Sequence, residues 1–337
     1  MGLITLFSIR GRWVILWSIA ACISSGSLPP PTVIPPEMHA AYTLDGRVAT
    51  ASFYVDDSLK GAGTHYSYSA STLEGYLAFY AKKLSEWRLF ALEDGLDEDP
   101  VAFLETVKDI PKEHLPLVAL DHFYGRGGLA GGQRVLIFGT LEPWCEALVL
   151  SLGAKNVTTV EYNDLTIDHP NVATLKPAEF RRRVEEGERW DAAISISSFD
   201  HDGLGRYGDP LAPDADLKAM ELMRKALNPS GLAFLSLPLG KDLLVWNLHR
   251  RYGPLRLPLM LKGWSNVLRV GWDEERVVAD DKNFRQTYEP VLVLSPLPTA
   301  ASEHTIEGGG DGDGDNGECH DEAEEVVAVA PGNSPQQ

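Results

Sequence analysis

From Arg134 onward the chain alternates short apolar runs with amphipathic stretches, and this alternation narrows its fold more than any other feature. Arg134–Phe138 is an apolar run ending at Gly139. Residues 142–152 read as a helix with Pro143 in the first turn, where a missing N–H costs nothing. Residues 157–161 are rich in β-branched side chains, and Val172–Leu175 is a further short strand candidate. Residues 192–196, 231–237 and 291–294 complete the apolar runs, with a helical pattern over 214–227. Strands alternating with helices imply parallel crossover units. The expectation is an α/β fold: a Rossmann-like, mostly parallel sheet over 131–298 with helices on both faces.

The N-terminal part reads differently. Arg10 and Arg12 precede an apolar run from Trp13 to Ile23, followed by Ser24, Ser25, Gly26 and Ser27. A positive flank, a short apolar core and small residues make 1–27 a signal peptide or signal anchor. Residues 28–39 form a proline-rich linker of extended character. Residues 40–130 are expected to be a helical extension, with a short strand near 51–55 and helices over 71–92 and 99–109. Ser71 and Glu74 have the spacing of a capping box, and Leu73, Tyr76, Leu77, Tyr80, Leu84, Trp87 and Ala91 recur on one helical face.

Net charge sharpens the reading. The formal charge is -18, yet no Lys or Arg follows Arg285, while eleven acidic residues do. Residues 1–285 carry a net of only -7, with no basic face, so nucleic acid is not expected as a partner. Residues 299–337 hold few large apolar side chains and are expected to be a disordered acidic tail. Asp311, Asp313, Asp315 and Glu322 there match calcium-loop positions, but Asn316 replaces the turn glycine, so no metal is expected. Cys22, Cys145 and Cys319 have neither disulfide-framework nor zinc-site spacing.

In an open parallel sheet, ligands bind beyond the carboxyl ends of the strands. Three ends are readable. The first holds Gly139 and Glu142, the second Glu161, Tyr162 and Asn163, and the third Ser197, Ser198, Asp200, His201 and Asp202. Glu161 comes 22 residues after Gly139, where a carboxylate accepts hydrogen bonds from both ribose hydroxyls of a bound nucleoside. His201, between two carboxylates, reads as a general base with a raised pKa, as a metal ligand with Asp202, or as part of a self-bonded capping loop. Lys241, Asp242, His249, Arg250 and Tyr252 are candidates for an acceptor pocket, the last three on a helix.

These features resemble class I S-adenosylmethionine-dependent methyltransferases. Ala226-Leu227-Asn228-Pro229-Ser230-Gly231-Leu232 is similar to the turn that leads into their fifth strand. More narrowly, Pro143-Trp144, the stretch VTTVEYN from Val157 to Asn163, HDGLGRYGDP from His201 to Pro210, GKD from Gly240 to Asp242, and HRRYG from His249 to Gly253 resemble domain of unknown function 268. The resemblance implies a methyltransferase-type fold and S-adenosylmethionine as cofactor. Gly139, Glu142, Glu161, Tyr162, Asn163 and Ser197 would line the cofactor site, and Asp200, His201 and Asp202 the catalytic loop. The chain departs from the pattern at Ile137, Leu141 and Pro143, where class I methyltransferases carry an acid and two further glycines. Glu142 is a candidate substitute for the missing acid. A dinucleotide is disfavoured more strongly, because its pyrophosphate needs close backbone approach. The leading function is methyl transfer to a small molecule or glycan in the secretory pathway, luminal or membrane-anchored. The alternatives are a non-catalytic Rossmann-like binding domain and an anchored nucleotide-sugar transferase.

Overall fold

The computed structural model describes residues 6–9, 12–15, 29–58, 64–96, 100–124 and 133–298. Of the leader, Leu6–Ile9 pairs antiparallel with Arg12–Ile15. The rest of the expected signal segment, Cys22, the acidic tail, Cys319 and the calcium-like spacing lie outside the described residues. Among the described residues no helix is long and apolar enough to cross a membrane.

The main sheet is built from β3 (Arg134–Phe138), β4 (Asn156–Val160), β6 (Val172–Leu175), β7 (Trp190–Ile196), β8 (Leu227–Ser236), β11 (Trp264–Val270) and β12 (Val291–Pro296). Its spatial order is β11-β12-β8-β7-β3-β4-β6. Five strands, from β6 to β8, run parallel, and β12 lies antiparallel to both β8 and β11. Counted along the sheet's own strands this is 3-2-1-4-5-7-6. It is the doubly wound Rossmann order through the fifth strand, with the last of the described strands inserted antiparallel.

The alternation of side chains explains two covered faces. Val135, Ile137, Val157, Ile194 and Phe234 face one core, shared with α1 (Ala70–Glu93), α3 (Leu115–Tyr124) and α4 (Trp144–Ser151). Leu136, Phe138, Val160, Ala193 and Leu235 face the other, closed by Phe180 and Val184 of α5 (Pro177–Glu185) and by Met220 and Met223 of α6 (Ala215–Ala226). β3, β4, β7 and β8 are therefore buried on both sides, which is why they read as continuous runs.

The N-terminal extension carries the expected long helix α1, and α2 spans Pro100–Thr106. The cap of α1 differs from expectation. Ser69, not Ser71, is its N-cap and accepts from Thr72 N, so the capping box does not form. The extension also contributes two strands. β1 (Ala49–Ser52) pairs in parallel with β9 (Leu243–Trp246), which pairs antiparallel with β10 (His249–Arg251). β2 (His65–Tyr68) pairs in parallel with β5 (Asp164–Ile167). His249, Arg250 and Tyr252 thus lie on or just after a strand, not on a helix as expected. The proline-rich segment is docked rather than free: Pro31 O accepts from Trp246 Nε1 at 2.9 Å, and Pro30 O from Tyr54 OH at 3.0 Å.

Candidate functional site

The ends of β3, β4 and β7 are neighbours in the sheet, so Gly139, Glu161 and Ser197 meet at its carboxyl edge by topology. Phe138 is level with both Val160 and Ser195, which puts Gly139 and Glu161 side by side. Gly139 has φ +65°, and a Cβ there would lie 2.0 Å from Ser198 Oγ. Only glycine fits the turn, and the neighbouring strand-end loop occupies the space a side chain would take. Ser197 holds φ +48° without being glycine, a strained conformation of the kind found at functional loops.

Glu161 is 7% exposed, and burial raises its pKa, opposed by hydrogen bonds from Asn163 and the Lys176 charge. Its Oε1 accepts from Asn163 N at 2.9 Å and from Asn163 Nδ2 at 3.2 Å. Asn163 Oδ1 accepts in turn from Thr64 N at 3.2 Å, which ties the turn to β2. Glu161 and Asn163 open on a cleft of about 320 Å³ also lined by His65, Asp164, Thr174 and Lys176. Lys176 Nζ donates to Tyr162 O at 2.7 Å and pairs with Asp164 at 2.6 Å. The Tyr162 side is 38% exposed, and burial followed by the charges of Asp202 and Asp209 raises the pKa of its phenol. The second and third strand-end segments therefore share one electrostatic neighbourhood.

Glu142 is exposed and accepts from Tyr76 OH at 3.0 Å, so its carboxylate is tied to α1. Tyr68 OH of β2 donates to Leu141 O at 2.7 Å. Leu141, where the pattern carries a glycine, and Glu142, the candidate substitute acid, are thus held by two tyrosines of the extension.

The His201 loop is packed shut. His201 Nδ1 donates to Leu248 O at 2.6 Å, and its Nε2 faces Asp200 Oδ2 at 3.4 Å. Burial and then the Arg206 guanidinium push the His201 pKa down to about 3. The expectation of a raised pKa is reversed: desolvation outweighs the flanking carboxylates. Asp200 takes the proton more readily, since burial raises its pKa to about 6, and neither carboxyl oxygen has a hydrogen-bond partner. Burial, then Asp209, lifts Asp202 well above the carboxylate range. Gly203 has φ +78°, and a Cβ there would meet Ala212 O at 2.0 Å. Tyr42 OH donates to Gly203 O at 2.5 Å, and Arg206 Nε to Asp57 Oδ2 at 2.7 Å, so the N-terminal segment covers the loop.

The acceptor-pocket candidates are structural. Asp242 accepts from the backbone N–H groups of Gly253, Leu255 and Arg256. Lys241 pairs with Asp280 at the surface. Arg250, 2% exposed, donates to Asp202 O at 2.6 Å, and its Nε lies 3.6 Å from Asp216. Asp216 also binds Arg256 through both oxygens and accepts from Tyr252 OH at 3.0 Å. His249 sets both ring nitrogens against carbonyls, of Arg250 and Phe284. No group of three or more His, Cys, Asp or Glu among the described residues is placed to hold a metal.

Sequence reasoning missed Glu146, Tyr68, Tyr76 and Lys176. Glu146 is fully buried on the first turn of α4, accepts from Thr159 Oγ1 at 2.6 Å, and leaves Oε2 without a partner. Burial raises its pKa to about 7.

The model of the family described as Caenorhabditis protein of unknown function, DUF268, matches residues 132–287. The match covers 156 of the 337 residues. It spans β3 through the loop before β12 and contains every strand-end residue considered above. No curated protein matches the sequence. Solved structures that superpose on the chain include a Burkholderia thailandensis 1,6-didemethyltoxoflavin-N1-methyltransferase with S-adenosylhomocysteine bound. Its identity is 18% and its TM-score 0.38, over 60% of this chain and 88% of that one. The CcbJ methyltransferase from Streptomyces caelestis superposes at 16% identity and TM-score 0.34, over 58% and 96%. The N-methyltransferase NodS from Bradyrhizobium japonicum does so at 12% and 0.36, over 57% and 99%. The strand order is what makes the sheet Rossmann-like.

Proposed function

We propose that the Rossmann-like domain binds S-adenosylmethionine at the carboxyl edge of its sheet and transfers the methyl group to a small molecule or glycan. The observation that carries this is Glu161: a nearly buried carboxylate at the end of the second sheet strand, opening on the cleft beside Asn163 and Lys176. In this reading Glu161 accepts from the ribose hydroxyls, Tyr162 and Asn163 border the nucleoside, and the Gly139 and Ser197 turns form the floor. The cofactor supplies an electrophilic methyl group on a sulfonium. The acceptor attacks that carbon with a lone pair, the carbon–sulfur bond breaks toward sulfur, and the acceptor gives up one proton. An amine can lose its proton after transfer. A hydroxyl needs a base beforehand, and His201, neutral and bonded to Leu248, is a weak one. The Asp200-His201-Asp202 loop then shapes the acceptor side of the site.

The test is calorimetric titration of the full chain with S-adenosylmethionine and S-adenosylhomocysteine. Binding that is lost or weakened in Glu161→Ala supports the reading. No heat from wild-type protein at millimolar ligand would sink it. One observation favours a second reading, a non-catalytic Rossmann-like binding domain: Ser198 Oγ fills the space above Gly139. That reading expects no turnover even where the cofactor binds. The apolar leader and the exposed Asn156 of an Asn-Val-Thr sequon support a luminal address as part of the proposal.

A further inference from the structure

Away from the Glu161 cleft, the carboxyl edge of the sheet holds a second cavity, of about 50 Å³. Ser236 at the end of β8 pairs with Val291 at the start of β12, and Val291 pairs with Val270 at the end of β11. The segments that leave these strands meet there. Leu239 N donates to Tyr288 O at 2.8 Å, and the cavity lies among these two residues, Arg251 of β10 and the short helix Glu274–Val277. It shares no lining residue with the cleft. A cavity needs roughly 10–15 Å³ to hold one water, so this one takes a few waters or a single small head group, not a nucleoside.

Two guanidinium groups line it, those of Arg251 and Arg276. Arg251 is 6% exposed. Its Nε donates to Lys241 O at 2.7 Å and its Nη1 to Asp281 O at 2.6 Å, and both acceptors are neutral carbonyls. Asp280 stands 3.8 Å from Nη2 and accepts instead from Lys241 and Lys282, at 3.0 and 2.8 Å. Arg251 thus holds a buried charge that no carboxylate among the described residues meets at hydrogen-bond distance. A Cβ on Gly240 would lie 2.9 Å from Arg251 Cδ, so a bare backbone is what admits the stem of this side chain. Arg276 lies over the Tyr288 ring at 4.2 Å, and among the described residues it forms no ion pair. Tyr288 is itself held: its OH donates to Gly271 O at 2.8 Å and accepts from Asp273 N at 2.5 Å.

The nearby acids have other partners. Asp281, the carboxylate on the lining, accepts from Asn283 N at 2.8 Å. Asp273 accepts from Glu275 N and Arg276 N, and Glu274 pairs with Arg269 at 3.5 Å. Asn283 Oδ1 accepts from Arg285 N at 3.2 Å, which leaves its amide NH2 as a further donor on the lining. A buried charge without a paired anion is costly, and a guanidinium presents a planar fork that matches the oxygens of a carboxylate or phosphate. We propose that this cavity binds an oxyanion group, a carboxylate or a phosphate, held between Arg251 and Arg276. The site does not depend on what the Glu161 cleft binds.

The test is nuclear magnetic resonance of the full chain, isotope-labelled at arginine nitrogen. It is titrated at constant ionic strength with inorganic phosphate and, separately, with acetate. The Nε–H signals of Arg276 and Arg285 are assigned by their loss in Arg276→Lys and Arg285→Lys. Arg285 is the control: it is exposed, lies over the Phe53 ring and is not on the lining. The Arg276 signal should shift saturably with a millimolar dissociation constant for one or both anions, while the Arg285 signal stays in place. Tighter phosphate marks the site for a phosphoryl group, tighter acetate for a carboxylate. The anion should also raise the unfolding midpoint, and Arg276→Gln should need about tenfold more anion for the same rise. No saturable shift of Arg276 with either anion overturns the proposal. So does an equal shift of Arg285, or a rise in midpoint that Arg276→Gln leaves unchanged.

Discussion

Replacing Glu161 by alanine removes a carboxylate that accepts twice from Asn163 and faces the cleft. Its loss should weaken S-adenosylmethionine by about 1–3 kcal/mol, the usual cost of losing hydrogen bonds to a charged group, read by calorimetry beside an unfolding curve. Asp200 makes a different prediction. Its pKa in the fold is about 6 against an ordinary 3.8, so the folded state holds a proton that the unfolded state has lost over that window. Stability contributed by Asp200 is therefore present at low pH and lost as pH rises from about 4 to 6. Asp200→Asn removes that loss. Its unfolding free energy relative to wild type should climb by on the order of 1 kcal/mol per pH unit across the window, and then level off. A difference independent of pH would show that Asp200 is ionised throughout. Glu161 and Gly139 were legible because strand ends and spacing locate them without knowing the rest of the chain. His201 was legible as a polar loop residue, but not its depressed pKa. The groups that cover it, Tyr42, Asp57 and Leu248, are distant in sequence. Glu146 was hidden for another reason: an acid in a helix's first turn is ordinary.

Most strands read from sequence are those buried on both faces. β3, β4, β7, β8 and β12 carry buried runs because helices cover both sides of the sheet, while β6, at one edge, was read from its short run although only Leu175 on it is buried. β11 was missed because it is an edge strand, with an exposed middle from Ser265 to Val267 and no run to detect. β10 was missed because His-Arg-Arg does not look like a strand. It is one because it pairs antiparallel with β9, and its Arg250 is accommodated beside the buried Asp216 of α6. Asp216 is fully buried, and Arg250 and Arg256 lower its pKa against the opposing effect of burial. Removing one partner of such a cluster strands the others. Asp216→Ala should destabilise the fold by about 3–5 kcal/mol in denaturant unfolding. A cost below about 1 kcal/mol would mean that water compensates the two guanidinium groups.

At the scale of the molecule, the Rossmann-like order was readable in outline, but not the use made of the N-terminal third. Residues 29–58 and β2 lie across the strand-end loops through Pro31, Tyr42, Asp57 and Tyr68, and such contacts leave no periodic trace in sequence. The proposed luminal address bears on the whole chain as well. Asn156 is exposed where β4 begins, at the end opposite the cleft, while Thr158 of its sequon is buried. Expression in eukaryotic cells should give partial modification: a glycosidase-sensitive gel shift that disappears in Asn156→Gln. Complete digestion of the domain by protease in intact vesicles would refute the address. The central claim is the nucleoside site at the sheet's carboxyl edge, and the most direct measurement is a crystal structure of the full chain grown with S-adenosylhomocysteine. Density for a ribose whose hydroxyls meet the Glu161 carboxylate, with the base beside Tyr162, is the expected result. An empty cleft at saturating ligand, or density bound away from Glu161, would contradict it.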